Sequence, residues 1–100
     1  MNNIILVGRL VKFIELEKNK SCVITLGVSR PLKNDKGLYD TDFIDVVLNG
    51  DLSIQAMKYC EKGDMMAIKG RIEKLPNSDM KIIANKISFL SSNKRSKENE

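Results

Sequence analysis

Five stretches of the chain alternate apolar and polar residues at the period of a strand, and one recurs at the period of a helix. The first, NNIILVGRLVKF, is β-branched and is apolar on both faces over Ile4 to Val7. It carries Gly8 in its middle, a place where strands admit glycine when the backbone bends or is closely approached. SCVITLGVSR sets Cys22, Ile24, Leu26 and Val28 against Val23, Thr25, Gly27 and Ser29. TDFIDVVLNGDL sets Ile44, Val46 and Leu48, a core face, against Phe43, Asp45, Val47 and Asn49. In NGDLSIQAMKYCEKGD, Leu52, Ala56, Tyr59 and Cys60 recur at helical spacing, and Gly63 stands where a helix C-terminal cap belongs. DMMAIKGRIEKL places Met66, Ile68, Gly70 and Ile72 opposite Met65, Ala67, Lys69 and Arg71, and MKIIANKISFLS is a fifth strand.

The connections are polar. IELEKNK reads as a turn or strand extension, PNSD as a compact turn, and RPLKNDKGLYDTD as a long hairpin loop with Pro31, Asn34, Asp35 and Gly37 as turn chemistry. From Ser91 the chain is polar and aperiodic, so residues 91–100 are expected to be a disordered tail on a domain of residues 1–90. Three strands, a helix and two strands describe an all-β, five-stranded Greek-key barrel with one short helix between strands three and four. An open antiparallel sheet covered by the helix is the alternative. Gly8, Gly27 and Gly70, all mid-strand, favour the coiled barrel.

Composition narrows the chemistry. One hundred residues, 42% hydrophobic and 30% charged, make a single folded domain. The absence of histidine removes the commonest general base and metal ligand, and no GxSxG, phosphate-binding glycine loop or HExxH is present. Cys22 and Cys60 form no CxxC and read as small buried or half-buried residues. An enzyme, a resident metal and a cofactor are therefore not expected. No apolar run reaches the roughly 18 residues of a membrane span, and a cytoplasmic location is expected. Net charge is +4, a bias compatible with a polyanionic partner. Met65 and Met66 read as core filler, and Lys94 to Lys97, KRSK, as a solvated tail that could add nonspecific attraction to phosphates.

NNIILVGRL, ITLGVSR, TDFIDVVLNGDL, KGDMMAIKGRI and ANKISFL, taken in order over about residues 2 to 90, resemble the successive strands of the bacterial single-stranded-DNA-binding protein family. The resemblance implies an OB-fold that binds single strands and assembles through its first strand into dimers or tetramers. It places Phe43 at a base-stacking position, Asn49 where the family usually has another aromatic, and Leu32 near a third. There is no Trp, the KLPNSDM connection is shorter than the family's arm, and the tail lacks the acidic, Phe-ending tip used to recruit replication and repair enzymes. A variant with weaker affinity or altered partners is expected.

The candidate site follows. Phe43 is outward if its strand is regular, because Ile44, Val46 and Leu48 claim the core; the competing reading is an ordinary core Phe. Tyr39, in the loop, either stacks on a base or packs across the hairpin. Arg9, Lys12, Arg30, Lys33, Lys36, Lys69, Arg71 and Lys74 are candidates to neutralise a phosphate backbone, against the reading that they only solvate the surface. Asp45 puts a carboxylate on the same face as Phe43, where Asn49, Lys69 and Arg71 could offset it. The expected function is non-catalytic, largely sequence-independent binding of single-stranded DNA in replication, recombination or repair. An adaptor of the same fold acting through protein contacts, and an RNA-binding module, are the alternatives.

Overall fold

The computed structural model describes residues 1–17 and 20–91, and the tail expected from Ser91 lies outside them beyond that residue. The elements are β1 (Ile4–Glu17), β2 (Ser21–Lys33), β3 (Tyr39–Asn49), α1 (Asp51–Tyr59), β4 (Met65–Lys74) and β5 (Met80–Ser91). The strands close into a barrel in the order β1-β2-β3-β5-β4, with β3 and β5 parallel and every other pair antiparallel. This is the Greek-key barrel that the sequence predicts, and closure excludes the open sheet. No helix among the described residues is long and apolar enough to cross a membrane.

Alternation decides what faces in. Cys22, Ile24 and Leu26 of β2, Val46 and Leu48 of β3, and Met66 and Ile68 of β4 are fully buried and meet in one core. Each large aliphatic side chain taken from water contributes roughly 1.5–3 kcal/mol. On β1 strict alternation breaks. A register shift between Leu10 and Lys12 lets Leu10 and Phe13, three apart, both turn toward the core. Two of the three mid-strand glycines are sterically required. A methyl on Gly8 would stand 2.7 Å from the Gly27 carbonyl oxygen, and one on Gly70 would overlap the carbonyl oxygen of Ile83. Gly27 has ordinary room on its outer side, so tight packing is not the reason for it.

Helix α1 closes one end of the barrel, burying Ser53 and Ala56 and packing Tyr59 against Phe89 in a tilted contact, ring centroids 5.9 Å apart and planes 50° apart. Its C-cap is Cys60, in extended conformation, and not Gly63 as the sequence suggested. Gly63, at φ +94°, serves instead in the turn into β4, where its N–H donates to the Leu10 carbonyl at 2.7 Å. A second correction concerns the β2–β3 connection. Both strands run past the core, so the loop shrinks to residues 34–38, and Arg30 and Lys33 stand on β2 and Tyr39 on β3. Cross-strand hydrogen bonds hold this projecting arm without a buried face, so it carries no hydrophobic alternation to read. Pro31, which has no N–H, falls inside the register shift between Ser29 and Lys33.

Candidate nucleic-acid interface

The outer face of β2 and β3 is built from the residues that alternation leaves outside. Phe43 is 66% exposed. Its ring lies over Gly27, where a methyl would meet its Cε1 at 3.6 Å and Val11 and Thr41 methyls at 3.4 Å. Its ring thus has a bare glycine on one side and is otherwise largely exposed. Further along the strand Thr25 donates from Oγ1 to Asp45 Oδ1 at 2.6 Å. The register aligns Lys12 of β1 with Thr25 and Thr25 with Asp45, one row across three strands. Asn49, exposed, ends the face opposite Ser21.

Side-chain hydrogen bonds tie the projecting arm together. Asn34 Oδ1 accepts the N–H groups of Lys36 and Leu38 at 2.9 and 3.0 Å, and Asn34 Nδ2 donates to Asp40 at 3.0 Å. Arg30 grips Asp42 through Nε and Nη2 at 2.9–3.2 Å. Those hydrogen bonds hold the Asp42 carboxyl below its ordinary range and raise Arg30 in return. Tyr39, 57% exposed, lies under Lys33 Nζ, 5.8 Å from its ring centroid, so it does pack across the hairpin while leaving surface free. Leu32, at 80%, is the most exposed side chain of the arm's apolar set.

Of the remaining cations, exposed Arg9 is aligned through Gly27 with Phe43 in one row across three strands, and those of β4 stand farther around the barrel. Arg9 donates from Nη1 to the Gly63 carbonyl at 2.6 Å. Arg71, half-buried, is engaged by Glu73 at 2.9 Å and by Asn85. Lys69 stands on β4 between Ile5 and Lys86, around the barrel from β3. Lys74 pairs with Met80 at the mouth of the β4–β5 hairpin. Lys12, Lys36, Lys69 and Lys74 have no side-chain partner among the described residues. Sequence reading missed Lys81, which immediately precedes the Val46–Ile82 pair of the parallel ladder beside Asp45; a parallel register between distant segments leaves no local signal. It also missed Asn2, whose side-chain amide donates to the Ile72 carbonyl at 2.7 Å and accepts its N–H at 3.0 Å, extending the β1–β4 ladder.

Both cysteines are buried and free. Burial pushes the Cys22 thiol up from its ordinary value. Among the described residues no three His, Cys, Asp or Glu side chains gather as a metal site.

A closed five-stranded barrel of this strand order, with an aromatic exposed on its β2–β3 face beside a pinned hairpin arm, defines an OB-fold domain of the kind that presents a sheet face to nucleic acid. The model of the single-strand binding protein family matches residues 1–90, and the chain belongs to that family. It is similar to single-stranded DNA-binding protein 1 of Clostridium acetobutylicum, 28% identical over 107 residues, covering 94% of this chain and 97% of that one. With single-stranded DNA-binding protein 1 of Streptococcus pyogenes serotype M18 it shares 38% identity over 77 residues, covering 73% of this chain and 59% of the relative. The fold is also that of the yeast mitochondrial single-stranded DNA binding protein Rim1, with a TM-score of 0.75 at 16% identity, covering 91% of this chain and 95% of that one. A small single-stranded DNA binding protein from Mycoplasma pneumoniae gives 0.66 at 20% identity, covering 90% and 88%.

Proposed function

We propose that the domain binds single-stranded DNA without catalysis, stacking bases on Phe43 and neutralising phosphates with lysines of β1 and the β2–β3 arm, in replication, recombination or repair in the cytoplasm. The observation that carries this is the outward Phe43 with its largely exposed ring, on the strand where family membership leads one to look for a stacking residue. Stacking on an aromatic tolerates any base, since every base has a π-face, and lysine charge reads only the backbone. Stacking platforms joined to a basic surface are the general mechanism of single-strand binding proteins, so that mechanism belongs to the class and only its assignment to these residues is particular to this chain.

The lysines without a carboxylate partner among the described residues refine the electrostatic part. Lys12 lies on β1, and Lys33 and Lys36 on the arm beyond Phe43, whereas Arg30 and Arg71 are already committed to carboxylates. We assign the neutralising role chiefly to the former. Ile5 and Val7, 73% and 47% exposed on β1, supply the apolar surface for association of copies into dimers or tetramers. Binding to oligo-dT, oligo-U and duplex DNA over a salt series tests the reading. Tighter binding to oligo-dT than to duplex, weakening as salt rises, is expected. Equal or stronger binding to oligo-U would move the assignment to RNA, and no binding to any of the three would favour an adaptor acting through protein contacts.

A further inference from the structure

Asp45 is an unexpected group on a face meant for a polyanion. It is exposed, on the same side of β3 as Phe43 and two residues on, about 7 Å away by the rise of a strand. Thr25 is its one partner among the described residues, and Oδ1 is the oxygen that accepts. Oδ2 is left with its lone pairs unused, and the hydroxyl fixes the carboxylate's orientation. Lys12, aligned with Thr25, stands two strands away, about 10 Å across the sheet, and Lys81 lies beside Asp45 on the adjacent β5, about 5 Å across. A cation, an oriented acceptor and an aromatic thus stand together at separations comparable to those between a phosphate, the edge of its base and the base's stacked face.

We propose that Asp45 is a specificity-determining residue that accepts a hydrogen bond from the exocyclic amino group of a base at or beside Phe43, biasing the site toward amino-bearing bases and, among pyrimidines, toward cytosine over thymine. The chemistry separates the two sharply. Cytosine presents its N4 amino group as a donor, and carboxylates are natural acceptors for it. Thymine presents O4 at the same place, an acceptor facing a carboxylate, and its one Watson–Crick donor, N3–H, is set back from that position on the ring. A carboxylate near the backbone lowers affinity for every strand through repulsion; a cytosine recovers that loss through a charge-assisted hydrogen bond, and a thymine does not. Phe43 and the lysines still accept any sequence, so Asp45 superimposes a bias on a tolerant platform. Thr25 is its positioning residue.

The inference rests on the single-strand reading, and one set of titrations separates the two. Fluorescently labelled oligo-dC and oligo-dT of equal length are titrated at mildly alkaline pH, where cytosine is unprotonated, with melting curves recorded on every variant. The native protein is expected to prefer oligo-dC by about tenfold or more, the range of a single hydrogen bond to a charged group. Asp45→Ala is expected to tighten oligo-dT binding and bring the ratio to about one, with the fold intact because the side chain is exposed. Thr25→Val should lower the ratio in part, and Thr25→Ser, which keeps the hydroxyl, should restore it. Tight but equal binding of both oligomers by the native protein would leave the single-strand reading standing and overturn the role of Asp45. A preference that survives Asp45→Ala would overturn it too, and failure to bind either oligomer would overturn both.

Discussion

At Phe43 the side chain and the backbone have separate duties. The ring is 66% exposed, so removing it deprives the core of nothing. Phe43→Ala is expected to weaken oligo-dT binding by about 1–3 kcal/mol, the worth of one base–aromatic stack, while stability stays within about 0.5 kcal/mol. Titration and thermal melting on the same variant check both. Cys22 is the reverse case, fully buried and without a part in the site. Burial favours its neutral thiol, so the folded protein holds that proton above pH 9.0, the thiol's ordinary value, when the unfolded chain has released it. The stabilisation is therefore complete below pH 9.0 and is lost as pH rises through the folded value. Urea midpoints measured across the alkaline range should fall with pH, and less steeply in Cys22→Ala, which is less stable throughout because of its small cavity.

Among the elements, in the proposed function the phosphate contacts belong to β1 and the β2–β3 arm and not to β4. A lysine that neutralises a phosphate of a single strand contributes about 0.7 to the slope of log affinity against log salt. Lys12→Ala and Lys33→Ala are each expected to reduce that slope by about this amount. Arg71→Ala should leave it almost unchanged and lower the melting temperature, because Arg71 ties Glu73 and Asn85 together on the β4–β5 surface. The β4–β5 ladder itself depends on Gly70. Gly70→Ala drives a methyl into the Ile83 carbonyl, a backbone atom that cannot step aside, and is expected to cost about 1–3 kcal/mol in urea denaturation. Gly27→Ala, with only ordinary contacts in prospect, should cost less than half as much.

For the whole molecule, closure of the barrel does not use all of β1. Among the described residues, Ile4 to Gly8 pair with β4 alone, and from Lys12 to Glu17 the strand pairs with β2 alone. The first half therefore keeps one unpaired edge beside the exposed Ile5 and Val7, a combination that invites a second copy. Light scattering of the native protein at micromolar concentration is expected to give a dimer or tetramer. Val7→Glu should shift it toward monomer with its circular dichroism unchanged, since Val7 lies outside the core. A native protein already monomeric would overturn this expectation.

The sequence by itself determined the elements and their faces. Cys22, Ile24 and Leu26, Val46 and Leu48, and Met66 and Ile68 face inward because a strand's period of two commits every second residue once a core exists, and the same parity placed Phe43 outside. It also supplied the family resemblance, which implied the OB-fold and placed Phe43 at a base-stacking position. What only the tertiary structure decided are the relations between segments far apart in the chain. The bulge at Val11 that turns both Leu10 and Phe13 inward, the extension of β2 and β3 into an arm, the engagement of Arg71 by Asn85 and of Arg9 by Gly63, and the alignment of Lys12, Thr25 and Asp45 all depend on register. Register is fixed by closing the whole barrel at once, with backbone contacts such as Gly8 on Gly27 and Gly70 on Ile83 selecting one alignment, and no local pattern of apolar and polar residues carries that information.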